Sequence, residues 1–191
     1  SRGLGDVYKR QVILGTSGVK ENLAPIGIIK SSNIYYSKIY KDTLTYSNLK
    51  KKDLCTINIT LDPIVFYELL FDEGGKKPIY EGIPYLNESL SFLSRCKEIE
   101  KYENFSVFKY EFVKVINSNF NFRAFSRSDS LLIDLLVHIT RLDIYSKEEL
   151  EKYLPIIEYE VKTIARLSPN LQHVVKDLLS RINAKGLKIS L

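Results

Sequence analysis

Residues 11–61 (QVILGTSGVKENLAPIGIIKSSNIYYSKIYKDTLTYSNLKKKDLCTINITL) constrain the fold more than any other stretch: β-like runs joined by tight polar turns, broken once by a hydroxyl- and lysine-rich segment. Residues 12–17 and 24–29 are rich in Val and Ile, residues 33–40 form a third run, and alternation resumes over 54–61. The turns GVKEN and Ser31-Ser32-Asn33 suit an antiparallel meander. Pro25 cannot donate to a ladder, so it marks an edge, a bulge or a place where a ligand approaches the backbone. The break at 43–52 is different. Asp42, Thr43 and Thr45 can each cap a helix start, and residues 46–52 suffice for about two turns. A helix start presents unpaired N–H groups and a positive dipole end. Thr43, Thr45, Asn48 and the lysine run from Lys50 to Lys52 around it form a candidate anion site, with phosphate as the ligand. Thr45 and Asn48, three apart, share a helical face.

The remainder divides by period. Over 54–61 the core face is Cys55, Ile57, Ile59 and Leu61. Asp62-Pro63 opens a short apolar helix over 64–71, expected to plug one end of a barrel. A turn follows over 72–77, then an irregular segment over 78–88. Residues 91–100 and 105–116 read as a long hairpin, and 122–125 as a return to the sheet. From Ser126 the period becomes helical: positions 131, 132, 135, 136 and 139 share a face, and Ser146 with Glu149 forms a capping box. Pro155 is expected to kink or split that second helix, and Ser168-Pro169 opens a third, with Gly186 as its stop. The expected fold is α+β, a barrel of about six strands over 12–125 followed by a three-helix segment over 126–191. Residues 1–11 (SRGLGDVYKRQ) read as adaptor-derived and are set apart from the fold; the chain has no methionine.

The pattern Asn22-Leu23-Ala24-Pro25-Ile26-Gly27, a strand, Thr43-x-Thr45-Tyr46-x-Asn48-Leu49, a β-run and Asp62-Pro63 resembles an archaeal family of uncharacterised proteins with the FMN-binding split-barrel fold, related more distantly to flavin reductases. His138-Ile139-Thr140-Arg141-Leu142 continues the likeness. The resemblance implies a flavin phosphate held by hydroxyl and amide groups after the third strand, a ring lying along Asn22, Ala24, Pro25 and Ile26, and a homodimer with flavin near the subunit boundary. Tyr40 and Tyr46 are candidates to stack on or flank the ring, and Arg141, in the segment that continues the likeness, is a candidate to reach a phosphate or a partner subunit, with an ordinary helix-end salt bridge as its alternative. Thr43 stands where a serine is usual. The fold also serves deazaflavin and haem, which are alternatives to FMN.

Composition narrows the class. The net charge of +5 is dispersed: Arg2, Lys9 and Arg10 stand against Asp6, and from Phe125 onward ten basic face nine acidic side chains. No basic face for nucleic acid is expected. No apolar run approaches the ~20 residues of a membrane span, and the expected location is cytoplasmic. Cys55 and Cys96, isolated in sequence, read as a reduced pair, and neither they nor His138 and His173 have metal-ligand spacing. No catalytic triad or glycine-rich nucleotide loop is recognisable, which agrees with a flavoprotein whose cofactor carries oxidoreductase chemistry. The alternative is a non-catalytic binding or assembly module on the same barrel.

Overall fold

The computed structural model describes residues 8–71 and 75–191. The strands are β1 (Tyr8–Thr16), β2 (Asn22–Ser31), β3 (Ile34–Tyr40), β4 (Leu54–Ile59), β5 (Ile79–Tyr80), β6 (Ile83–Pro84), β7 (Leu90–Lys101) and β8 (Phe105–Ser118). Six of them close an antiparallel barrel in the order β1-β2-β3-β8-β7-β4, and β5 pairs with β6 as a small ribbon. The helices are α1 (Leu44–Lys51), α2 (Pro63–Leu70), α3 (Arg127–Thr140), α4 (Lys147–Leu167) and α5 (Gln172–Ala184), the last entered through a 3-10 turn at Pro169–Leu171. The α+β split barrel with a helical C-terminal part is therefore the observed fold. It separates into a barrel unit, residues 8–61 and 68–122, and a helical unit, residues 62–67 and 123–191. Residues 8–11 extend β1 opposite Lys30, Ile29, Ile28 and Gly27, so part of the segment set apart as adaptor-derived belongs to the barrel. The rest of that segment, and part of the turn expected over 72–77, lie outside the described residues.

The barrel is filled from alternate positions of its strands: Val12, Leu14, Ile28, Ile39, Cys55 and Phe108 are buried together. Leu49 joins this cluster and Tyr46 packs against it. Three apart on one face of α1, they close one barrel end, the place expected of residues 64–71. Helix α2 serves elsewhere: Tyr67 is 2% exposed and donates its hydroxyl to Asp177 of the helical unit at 2.7 Å.

Both faces of β4 are occupied, which its alternation did not foretell. Thr56 and Asn58 are fully buried because the β5–β6 ribbon and the chain after it cover them: Thr56 Oγ1 donates to the Pro84 carbonyl at 2.6 Å and Asn58 Oδ1 accepts the Leu86 N–H at 3.0 Å. A Cβ at Gly15 would meet Pro84 O and Thr56 Oγ1, each at 2.1 Å, so only glycine admits that approach. Leu61, expected on the core face, lies beyond the end of β4 and is exposed.

Three further expectations are corrected. Cys55 and Cys96 are bonded to each other rather than reduced. Cys55 lies opposite Ser94 on β7, so Cys96 is its diagonal neighbour, and the Cα–Cα distance of 6.3 Å falls within disulfide range. Residues 122–125 do not return to the sheet; β8 ends at Ser118, and Phe122 and Phe125 are exposed. Helix α4 runs unbroken through Pro155, opened by Ser146, whose hydroxyl accepts the Glu149 N–H at 3.1 Å.

Among the described residues, no helix is long and apolar enough to cross a membrane.

Candidate functional site

Strand β2 pairs with β1 from Asn22 to Lys30, but its ladder with β3 covers only Ile29 to Ser31. Over residues 22–28 the edge that faces β3 has no strand ladder. Pro25, opposite Ile13, lies in that stretch, where a missing N–H costs no second ladder. Ser37 on β3 bridges part of the gap, donating its hydroxyl to the Gly27 carbonyl at 2.7 Å. Ala24, Pro25 and Ile26 are half-buried there.

Helix α1 packs against β1, β2 and β3 beside this opening. Thr43 is its N-cap: Oγ1 accepts the Tyr46 N–H at 3.2 Å and donates to the Tyr40 carbonyl at 2.7 Å. The N–H groups of Leu44 and Thr45 belong to the first turn, where helix geometry offers no intrahelical acceptor. Asn22 Nδ2 donates to Thr45 Oγ1 at 3.1 Å, which joins the start of β2 to that turn.

Asn48 is placed differently from its expected role. It is fully buried, and its amide makes four hydrogen bonds. Oδ1 accepts Val19 N–H at 2.8 Å and Lys20 N–H at 3.1 Å, while Nδ2 donates to Lys20 O at 2.7 Å and Thr16 Oγ1 at 3.0 Å. Two donors and two lone pairs are thereby used, so Asn48 holds α1 against the β1–β2 turn and has no group left for a ligand. Tyr46 turns into the barrel end, edge-on to Phe108 with ring centroids 6.1 Å apart.

The lysine run lies at the wrong end of the helix for an anion at its start. Lys50 and Lys51 occupy the last turn, where they complement the negative dipole end. Lys50 Nζ pairs with Glu98 at 3.0 Å, and the hydrogen bond and charge of Glu98 hold the ammonium above its ordinary value. Burial raises the Glu98 carboxyl, but hydrogen bonding and the charges of Lys50 and Lys101 outweigh it and leave the group below the usual carboxylate range. Positive charge near the first turn comes instead from Lys20, Lys76 and Lys77, which line a polar cleft of about 300 Å³ together with Asn22, Leu44 and the two carboxylates Glu21 and Glu68. Sequence reasoning missed these lysines because they lie in turns far from Thr43 along the chain. Arg141 closes α3 in the helical unit, its N–H bonded to the His138 carbonyl at 3.0 Å. The other predicted residues belong to the barrel unit.

The opposite barrel end, where Arg10 pairs with Ile28 and Lys30 with Tyr35, opens into an apolar cavity of about 580 Å³. Val12, Ile28, Ile57 and Phe92 line it. Tyr110 also lines it; burial pushes its phenol well above the ordinary value, and the Ser37 hydroxyl acts against that shift.

Two family models match the chain: residues 10–119 match "Protein of unknown function (DUF447) N-terminal domain" and residues 126–182 match "Protein of unknown function (DUF447)". The crystal structure of the FMN-bound protein MM1853 from Methanosarcina mazei, also described by the DUF447 model, shares the fold. It is 20% identical, with a TM-score of 0.75 over 93% of this chain and 94% of that one. The uncharacterized protein MJ1453 of Methanocaldococcus jannaschii is 26% identical over 133 residues, 64% of this chain and 68% of that protein.

Proposed function

The chain belongs to the DUF447 family, and from that premise we propose that its barrel unit binds FMN, the phosphate at the first turn of α1 and the ring along residues 22–28 of β2. The observation that carries this reading is the 3.1 Å hydrogen bond from Asn22 to Thr45, because it fixes the ring segment beside the phosphate segment. The residues suit the cofactor. The β2 edge left without a ladder offers main-chain groups to a flat polar ring, and the half-buried Ala24 and Pro25 let it come close. Thr43 shapes the helix start, the Leu44 and Thr45 N–H groups face the phosphate, and Lys20, Lys76 and Lys77 balance its charge. An FMN-bound protein described by the same family model and sharing this fold supports the choice over deazaflavin or haem.

Bound flavin supplies the electron-transfer chemistry of an oxidoreductase; the residues of this chain bind and orient it. The reading includes a homodimer, supported by the exposed apolar side chains Val113 and Val115, two apart on β8. The test is the visible spectrum of freshly purified protein, with mass spectrometry of what heat releases. Near one FMN per chain is expected. A colourless protein that also fails to take up added FMN would overturn the reading in favour of an assembly module.

A further inference from the structure

We propose that Asp134, His138 and Glu160 form a site for one divalent first-row transition cation in the helical unit. Asp134 and His138 lie four apart on α3 and so share a face, and Glu160 meets them from α4. One ligand atom from each lies within 4.8 Å of the other two. His138 Nε2 stands 3.3 Å from Asp134 Oδ2 and 3.9 Å from Glu160 Oε1.

Glu160 is the second, independent observation. It is 1% exposed, no N–H or O–H group of a neighbouring residue reaches either carboxylate oxygen, 3.9 Å to His138 being too long for a hydrogen bond, and the group it faces is the Asp134 carboxylate. Two facing carboxylates, one of them buried, are held together by a shared proton or by a cation between them, and no nitrogen donor serves Glu160. The imidazole is prepared for the ligand role: Nδ1 lies 2.8 Å from the Tyr145 hydroxyl, an outer partner that orients the ring and leaves Nε2 toward the carboxylates. Tyr153 packs against the same ring at a centroid distance of 5.0 Å.

Two carboxylates and one imidazole suit borderline Zn²⁺ or the harder Mn²⁺. Three protein ligands leave at least one position for water, and the Asp134 side chain, 60% exposed, marks the side from which an ion enters. The sequence signal is an Asp-x-x-x-His pair within an apolar helix; its third ligand, 22 residues beyond His138, becomes visible only when α4 is laid against α3.

The test uses the full chain, free of any histidine tag, stripped with chelator and titrated with ZnCl₂ and separately with MnCl₂ by calorimetry. Saturable uptake of one ion per chain is expected for at least one of them, together with a rise in melting temperature. Asp134→Asn alters a mostly exposed side chain and Glu160→Gln a buried one; each is expected to weaken binding at least tenfold, and the first keeps the test decisive if the second does not fold. Absence of saturable binding by both ions, or binding that Asp134→Asn leaves unchanged, overturns the site.

Discussion

The Asn48 carboxamide accepts the Val19 N–H at 2.8 Å, and this bond, with three others from the same amide, ties α1 to the turn between β1 and β2. Replacing Asn48 with alanine leaves Thr16 and the Val19 and Lys20 backbone groups without their partner. At ~1 kcal/mol for each lost bond, partly recovered by water at the turn, the expected loss of stability is about 2–4 kcal/mol. Chemical denaturation of Asn48→Ala against the parent chain measures it. A loss below about 0.5 kcal/mol contradicts the positioning role.

The phosphate assignment separates two sets of lysines. Lys76 and Lys77 line the cleft at the α1 start, whereas Lys50 is committed to Glu98 at the other end. Lys76→Glu with Lys77→Glu is expected to weaken FMN roughly tenfold and riboflavin hardly at all, with the difference shrinking as salt rises. Lys50→Ala should change FMN affinity by less than about twofold, since its charge serves Glu98. Fluorescence titration with both flavins decides between the two sets.

The barrel was legible because its strands alternate and its turns carry glycine, serine and asparagine; residues 54–59 and the hairpin arms fall where the pattern puts them. The start of α1 was legible too, though Asp42, Thr43 and Thr45 were equal candidates for its cap and only the structure selects Thr43. What sequence could not show is what lies across space from a given side chain. Asn48 was chosen for its amide, but that amide faces a turn 28 and 29 residues earlier. Cys55 and Cys96, 41 residues apart, become diagonal neighbours only once β4 is set against β7. Lysines in turns acquire meaning only from the cleft they border.

The Cys55–Cys96 bond predicts a free-thiol count of zero in the denatured, unreduced chain, measured with a thiol reagent. It closes a loop of 41 residues, for which chain-entropy arguments give about 2–4 kcal/mol of stabilisation. Replacing both cysteines with serine should therefore lower stability by at least that much, because two hydroxyls then enter an apolar core. Two titratable thiols in the parent protein contradict the bond.

Tyr67 and Asp177 give a prediction with a defined pH window. Burial raises the Asp177 carboxyl, but hydrogen bonds from Arg181 and Tyr67 and the Arg181 charge outweigh it, and the group is held below its ordinary value of 3.8. A carboxyl depressed on folding binds fewer protons in the native state than in the unfolded one. Its stabilisation is present in full above the unfolded value and is lost as pH falls through the native one. Tyr67→Phe removes the 2.7 Å donor while leaving Arg181 Nε at 2.8 Å. Because Asp177 is about one-third exposed, solvent screening reduces the effect, and about 1 kcal/mol of destabilisation is expected at neutral pH. The gap between parent and variant should narrow as pH drops below about 4, since a protonated carboxyl accepts the phenol more weakly. Urea denaturation of both proteins between pH 7 and pH 3 checks it; a difference that stays constant across that range shows that Tyr67 contributes through packing rather than through the carboxylate.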